Sequence, residues 1–506
     1  MSGIRKQAII SSIVIYIGVA FGVLNTYLFV TKGTFTQDQY ALTRLFNDVG
    51  QNFYTLASLG IIPIVYKFYP YYKDNLEEKD IDLLSRAFVY AMVGFVIVAI
   101  GAYYFEPIVI RKFGKRSQLF VDYYLYIIPY FFGFLFFSLL EGYAWALQKT
   151  ILPNFLKETG MRVYVMLLAI LYFFKWIDFP RFMQLFSLAY ILIALILLIY
   201  LLRTGKFRFN FKTSRVTKKF KKKMLNMQVL IFGGIIITSV GQTIDGLIIA
   251  SLNGLEDAAV YLLALYTSSL MQIPIRSMQS IATGVLVRLW KDKNIKEIKR
   301  IYYRSSINLL LISLIIFGNI WLNIADGLEI FNVQEAYKAG IPLVLIFGIV
   351  RLIDAGTGLN AQVIGSSVYW RFEFFSGVVM LALRIPLVYL FIKENGIIGS
   401  VYGDLISLSV YNFIRFEFLR RKFGMQPFSI KTLYALFLGI SAYFITYFLF
   451  QQYHEFVFLI LRSIVFSGIM VAGILLLKLT PDAMQLIGNA RKRFNILKQY
   501  FTNIFH

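Results

Sequence analysis

RTGKFRFNFKTSRVTKKFKKK, residues 203–223, places ten Lys or Arg and no acid in the middle of 506 residues that are otherwise a succession of apolar runs. A basic stretch of this kind, flanked on both sides by apolar segments, is what the positive-inside bias leaves in a cytoplasmic connection of a multi-span membrane protein. It divides the chain into two halves of similar pattern. A transporter built by duplication is the reading that the rest of the sequence has to meet.

Composition points the same way. With 58% apolar residues, 15% charged residues and a mean hydropathy of +0.67, the chain has more hydrophobic surface than a water-soluble fold of this size could hide. The net charge of +24 does not indicate a nucleic-acid partner, because the cations gather in short polar connections and at segment ends. Cysteine is absent, which excludes disulfides and thiolate sites, and the two histidines, His454 and His506, cannot assemble a histidine-based metal site. No cofactor is expected. Arg5 and Lys6 precede an apolar stretch over 8–30 that is too long for a signal peptide, so a retained first span is expected.

Fourteen apolar segments approach the ~20 residues needed to cross a bilayer: 8–30, 39–66, 83–105, 121–147, 151–174, 181–202, 225–251, 257–289, 301–324, 339–364, 368–392, 396–419, 429–450 and 456–479. With the amino terminus cytoplasmic, the connections on that side carry Lys67, Lys73, Lys79 and Arg86, then the basic stretch, then Arg288 to Arg300, then Arg420, Arg421 and Lys422. Both termini then lie inside, and opposite loops such as 253–257 and 326–335 are poorer in cations. One outer connection dissents, with Arg111, Lys112, Lys115 and Arg116. The expected fold class is all-α integral membrane: about fourteen transmembrane helices, in two six-helix lobes related by pseudo-two-fold symmetry, plus two carboxy-terminal helices. The corresponding boundaries are a first lobe at 1–203, a basic cytoplasmic linker at 204–223, a second lobe at 224–422, two further spans at 423–481 and an amphipathic cytoplasmic tail at 482–506. That tail sets Ile487, Phe494, Leu497, Phe501 and Ile504 against Arg491, Lys492, Arg493 and Lys498, a pattern suited to lying on an anionic leaflet.

The two halves can be overlaid. A displacement of about 221 residues sets Tyr40 on Tyr261, Asp48 on Ser269, Gln51 on Gln272 and Thr55 on Arg276. More telling is where polar residues fall. In the second segment Arg44, Asp48, Gln51, Thr55 and Ser58 share one face of a 3.6-residue helix. Comparable stripes are Ser269, Gln272, Arg276, Gln279 and Thr283; Thr238, Gln242 and Asp245; Ser138, Glu141 and Gln148; and Arg351, Asp354, Gly358 and Gln362. An ionisable group at mid-bilayer costs about 2.5–3.5 kcal/mol on insertion scales. Five such helices therefore argue for a shared hydrophilic cavity. The alternative is that Arg44 with Asp48, and Arg351 with Asp354, are intrahelical ion pairs with a structural role only.

Guanidinium forks suit phosphate or carboxylate, so an anionic cargo is expected at Arg44, Gln51, Gln272, Arg276, Arg351 and Arg384. Arg384 also has the reading of an outer helix end before Pro386, and Lys157, Arg162 and Arg371 that of cations reaching for headgroups. Acids within apolar segments, Asp48, Glu141, Asp245, Asp354 and Asp404, are candidates to bind and release a coupling ion, H+ or Na+; the first four form the expected ion-coupling set. For Asp245 the competing reading is a salt bridge with Arg276 or Arg351. Pro63, Pro129, Pro274 and Pro342 mark expected kinks, and Gly18, Gly22, Gly399 and Gly403 expected close helix approaches. No Walker loop, H-E-x-x-H or nucleophile elbow occurs, so no enzyme is expected and transport must be powered by a gradient or by downstream consumption.

Two stretches carry a family likeness: Ala57-Ser58-Leu59-Gly60 followed by Ile64 to Tyr69, and Pro386 to Ser407 with Glu394-Asn395-Gly396-Ile397-Ile398-Gly399-Ser400. These, with the duplicated plan over essentially the whole chain, resemble polysaccharide flippases of the Wzx type; Arg384 and Pro386 depart from the usual residues before that loop. The resemblance implies a superfamily that also holds multidrug and toxic compound exporters and the lipid II flippase. It implies a monomer in the bacterial inner membrane that turns an undecaprenyl-diphosphate-linked oligosaccharide to the outer leaflet, with membrane lipids and a polysaccharide polymerase as further partners. Tyrosines would stack on sugar rings. A lipid II flippase stays open as an alternative. A multidrug exporter fits less well, since it needs only twelve spans and an acid-rich cavity, and a polymerase would need a large outer loop.

Overall fold

A computed structural model of the protein describes residues 17–147, 149–204 and 209–482. Gln148, the start of the first apolar segment and the amphipathic tail beyond Asp482 lie outside the described residues. Among those described there is no β-strand; the chain is helical throughout and divides into two compact units, 1–259 and 260–506.

The first unit contains α1 (Ile17–Val30), α2 (Gln37–Ser58), α3 (Ile61–Lys73), α4 (Leu83–Tyr104), α5 (Glu106–Phe113), α6 (Gln118–Asp122), α7 (Ile127–Ala146), α8 (Ile151–Asn154), a π-helical turn (Phe155–Gly160), α9 (Met161–Phe173), α10 (Phe179–Ser187), α11 (Ala189–Arg203) and α12 (Arg215–Leu252). Next, α13 (Leu255–Ser269) carries the division. The second unit continues with α14 (Gln272–Lys291), α15 (Ile295–Ile330), α16 (Ile341–Gly356), α17 (Asn360–Gly365), α18 (Trp370–Asn395), α19 (Ile397–Phe423), α20 (Ile430–Phe450) and α21 (Phe456–Leu476).

Ten described helical stretches are long and apolar enough to cross a membrane, or eleven if the pair α13 and α14, bent by 53°, is one span. The protein is a multi-pass membrane protein. Three of the fourteen apolar segments fall short of that measure for separate reasons. The first is described only from Ile17, the second is broken and diluted by its polar stripe, and the fifth carries Lys157, Glu158 and Arg162 within one stretch of helix.

The break in the second segment is built with care for its backbone groups. Thr36 caps α2 in a reciprocal capping box with Gln39, at 3.0 and 3.2 Å. At its other end Leu59 (φ 47°) and Gly60 (φ 69°) are both left-handed, which frees the Leu59 carbonyl; the Gln228 side chain donates to it at 2.9 Å. Only glycine fits at position 60, where a Cβ would stand 2.9 Å from the Gln228 carbonyl oxygen.

The basic stretch is not a free strap. Ser214 caps α12, so Arg215 to Lys223 form a helical extension that runs without interruption into the seventh apolar segment, expected to begin only at 225. Buried Asp82 holds this junction, accepting from Arg86 Nε (2.6 Å), Ser214 N (3.1 Å) and Thr217 Oγ1 (2.8 Å), while Tyr72 and Thr217 share a hydrogen bond of 2.7 Å. Along its length α12 packs against α2, α3 and α5, within the first unit. The dissenting basic connection clasps its far end: Ser117 Oγ donates to the Ala250 carbonyl at 2.6 Å, and a Cβ on Gly254 (φ 117°) would stand 2.9 Å from the Arg116 carbonyl oxygen. Arg111, Lys112, Lys115 and Arg116 themselves stay exposed.

The four prolines expected to mark kinks lie in the first turn of helices, and Pro274 follows directly on the 53° bend between α13 and α14. Pro63, Pro129, Pro274 and Pro342 occupy the second or third position of α3, α7, α14 and α16, where a missing backbone donor costs nothing. In the second unit α18 and α19 form a hairpin turned at Gly396 (φ 63°). A Cβ on Gly399 would overlap the Phe391 backbone, and one on Gly403 would stand 2.9 Å from the Val388 nitrogen. Gly399→Ala should therefore force the two helices apart and lower stability by about 1–3 kcal/mol, read as an earlier unfolding midpoint of the purified protein in detergent.

Candidate functional site

In the first unit the stripe on α2 is assembled as one polar face. Arg44 Nη2 donates to Thr26 Oγ1 of α1 at 2.8 Å, and its guanidinium lies 5.3 Å from the centroid of the Tyr40 ring. Asp48 lies beside Asn47 in sequence and in the field of Arg44. From α7, Tyr130 donates to Asn47 Oδ1 at 2.9 Å. Gly50 makes room for that ring, since a Cβ there would stand 2.5 Å from Tyr130 Cδ1. Arg44, Asn47, Asp48 and Gln51 are all half-buried.

One turn further along, uncharged groups continue the face onto α12. Asn52 donates to Thr243 Oγ1 and accepts from Ser239 Oγ, each at 2.7 Å, and Thr55 donates to Ser239 at 3.3 Å. Asp245 lies on α12 with only 2% of its surface exposed, whereas Thr238 and Gln242, expected to share its stripe, are exposed.

Glu141, 5% exposed on α7, finds its cation on the π-helical turn: Lys157 Nζ stands 3.0 Å from Oε2. Arg162 pairs with Glu158 at 3.3 Å, and Asn25 of α1 donates to the Arg162 carbonyl at 2.8 Å. Gly18 permits this crowding, because a Cβ there would stand 2.8 Å from Arg162 Nη1. Lys157 and Arg162 thus hold acids of the bundle, as well as being cations near a helix start.

The second unit has its own cluster. Arg351 and Asp354 are half-buried on α16, with Arg351 in the fields of Asp354, Asp404 and Arg384. Asp354 Oδ1 accepts from Asn412 Nδ2 at 3.3 Å, and Asn412 Oδ1 accepts from Thr357 (3.1 Å) and Asn360 (3.0 Å). Arg384 and Asp404 join α18 to α19 through a 2.6 Å ion pair, 8% and 2% exposed. Arg384 is therefore not at an outer helix end; its guanidinium is buried against Asp404 and bears on Arg351 through the field. Glu373 engages Arg415 and accepts from Tyr411 at 3.2 Å. Arg276 is exposed and donates to Gln272 Oε1 at 2.9 Å. Arg371 is exposed and stacks on Trp370 at 5.5 Å.

The structure thus brings Arg44 and Asp48 together in one unit and Arg351, Asp354, Arg384 and Asp404 in the other. Asn47, Asn52, Ser239, Thr243, Asn412 and the Glu373–Arg415 pair were not read from the sequence. For α19 the signal was there: Asp404, Ser407, Tyr411 and Arg415 recur at helical steps. Chemically, the half-buried guanidinium groups offer forks for an anion, already balanced by resident carboxylates and amides. No group of three acids or histidines able to hold a metal ion occurs among the described residues.

No protein-family description matches the sequence, and no curated protein does. Solved structures do match. The lipid II flippase MurJ in an inward closed conformation aligns with a TM-score of 0.72 at 14% identity, over 92% of this chain and 98% of that one. An inward-facing multidrug resistance MATE family transporter of the MOP superfamily gives 0.66 at 13% identity, over 82% and 98%. A MOP superfamily transporter from Pyrococcus furiosus, described as having a binding pocket of reversed polarity, gives 0.56 at 13%, over 83% and 96%. The chain therefore has the all-α fold of these membrane transporters.

Removing one member of a buried ion pair strands the other in a medium that cannot solvate it. Arg384→Ala should lower unfolding stability by about 3–5 kcal/mol, with much of the loss recovered in the double variant Arg384→Leu/Asp404→Leu. Exposed Arg276→Ala should stay within about 0.5 kcal/mol of the parent protein, all read from denaturant unfolding in the same detergent.

Proposed function

We propose that this chain is a flippase that carries an undecaprenyl-diphosphate-linked oligosaccharide, the repeat unit of an O-antigen, capsule or exopolysaccharide, across the bacterial inner membrane. It works by alternating access and draws on an ion gradient. One observation carries the reading: one helix in each unit, α2 and α16, holds a half-buried guanidinium beside a carboxylate and amides. Such groups are costly in a bilayer and suit an anionic diphosphate with a polar glycan. Arg44, Gln51, Gln272, Arg276 and Arg351 meet the head, and Arg384 acts by keeping Asp404 neutralised behind Arg351. Asp48, Asp245, Asp354 and Glu141 are the groups through which H+ or Na+ is exchanged. Fourteen spans, both termini inside and a monomeric state complete the proposal, as do contacts with membrane lipids and a polysaccharide polymerase.

A second reading, lipid II as cargo, is favoured by the match to MurJ, which covers 92% of this chain, against 82% for the MATE transporter. Both cargoes are polyprenyl diphosphates, and the same residues serve either. Fluorescently labelled lipid-linked oligosaccharide and lipid II, each reconstituted with the protein in vesicles, separate them by which label crosses. The double variant Arg276→Ala/Arg351→Ala should slow crossing at least tenfold, a loss of about 1.4 kcal/mol in barrier terms; an unchanged rate would refute the anion contacts. With an imposed ion gradient, Asp245→Asn should make the rate independent of the gradient. If the gradient still drives that variant as before, Asp245 has no part in coupling.

A further inference from the structure

The second unit contains a cavity of about 300 Å³ outside the clusters just described, between the far end of α15 and the α20–α21 pair. Its wall combines aromatic faces, Trp321, Tyr443 and Tyr447, with the polar groups of Asp326, Gln451 and His454. The sequence reading assigned none of these a role and placed Asp326 in an outer loop. In the structure α15 runs on to Ile330, so Asp326 points from a helix.

The arrangement is braced. Arg462, 6% exposed on α21, binds the second oxygen of Asp326 and the Leu322 and Tyr453 carbonyls, while His454 Nδ1 stands 2.9 Å from Asp326 Oδ1. Beneath it, Asn319 and Asn323 of α15 donate to Ser467 and Ser463 of α21, each at 3.0 Å. The Tyr443 and Tyr447 rings lie 6.0 Å apart at 16°. Fixed aromatic planes beside oriented polar groups are what a pre-organised small-molecule site requires.

We infer that this cavity binds one neutral pyranose ring. A sugar presents an apolar C–H face to an aromatic ring and hydroxyls at its edge to carboxylate, amide and imidazole, which between them both donate and accept. An anion gains little from the two terminal nitrogens of Arg462, which are already engaged by Asp326 and two carbonyls, and it would stand beside the Asp326 carboxylate. An alkyl chain would strand Asp326, Gln451 and His454 against hydrocarbon. The cavity lies at the ends of α15 and α20 remote from the basic connections 288–300 and 420–422, which the positive-inside bias makes the outer side. For the origin of the sugar the inference rests on the flippase reading: the ring belongs to the glycan after it has crossed.

The test is a titration of the full-length protein in detergent with methyl glycosides of glucose, galactose, mannose and N-acetylglucosamine, followed by tryptophan fluorescence. Inorganic phosphate and glucuronate serve as anionic probes. At least one neutral glycoside should give a saturable change, and Tyr447→Ala and Gln451→Ala should each weaken it tenfold or more. Both side chains are exposed enough to be replaced without unfolding, which a melting curve checks. Lys296→Ala, an exposed position at the opposite end of α15, should leave the binding unchanged. The inference is overturned if no neutral glycoside saturates by roughly 100 mM, if both variants bind as the parent does, or if the anions bind more tightly. Binding is read without transport, so the two readings fail separately. Lost flipping with intact sugar binding would sink the flippase and leave the cavity; intact flipping with no binding would sink the cavity alone.

Discussion

Hydrocarbon offers no water to a polar group, so a polar group placed among apolar helices is stabilised where another part of the chain meets it. That constraint explains details that otherwise look unrelated. The carbonyl released where α2 stops is met by Gln228 from a helix nearly 170 residues away in sequence. Glu141 is met by Lys157 on a π-helical turn, and Arg384 by Asp404 across a glycine-lined hairpin. Each partner comes from a different helix, so satisfying the polar groups also fixes which helices are neighbours.

The same constraint ties the basic stretch to the polar face of α2. A continuous helix of 38 residues is about 57 Å long at 1.5 Å per residue. Along it, Thr217 binds Asp82 and Tyr72, Gln228 holds the broken end of α2, and Ser239 and Thr243 bind Asn52. Four attachments along one rod tie α2 and α3 to α12.

How far the sequence could be read follows from what kind of signal each feature leaves. Long apolar runs and isolated charges stand out, so the helical membrane fold and the stripe from Arg44 to Ser58 were legible. Hydroxyls and amides do not stand out, because Ser, Thr and Asn are common in apolar helices; the Asn52–Ser239–Thr243 contacts join residues nearly 190 positions apart with no local mark of their partnership. Arg384 shows the limit for charges. Its position was plain, but whether it faced a ligand or Asp404 depended on the hairpin register set by Gly396, Gly399 and Gly403. Asp326 was misplaced because the hydropathy fell before the helix ended.

A carrier must bind its cargo firmly enough to select it and loosely enough to let it go. On the proposed function, the clusters on α2 and α16 would serve the second requirement as much as the first. Arg44 already holds Thr26 and lies beside Asp48, and Arg351 lies among two carboxylates and a second guanidinium. An anionic head reaching either arginine exchanges one set of partners for another, so its net gain is small compared with what a bare buried guanidinium would give. Protonating or otherwise neutralising Asp48 or Asp354 would remove the competitor and strengthen the grip on an anion. Restoring the charge would loosen it. On the flippase reading, this is how a carboxylate beside an arginine couples an ion to a lipid diphosphate without either touching the other.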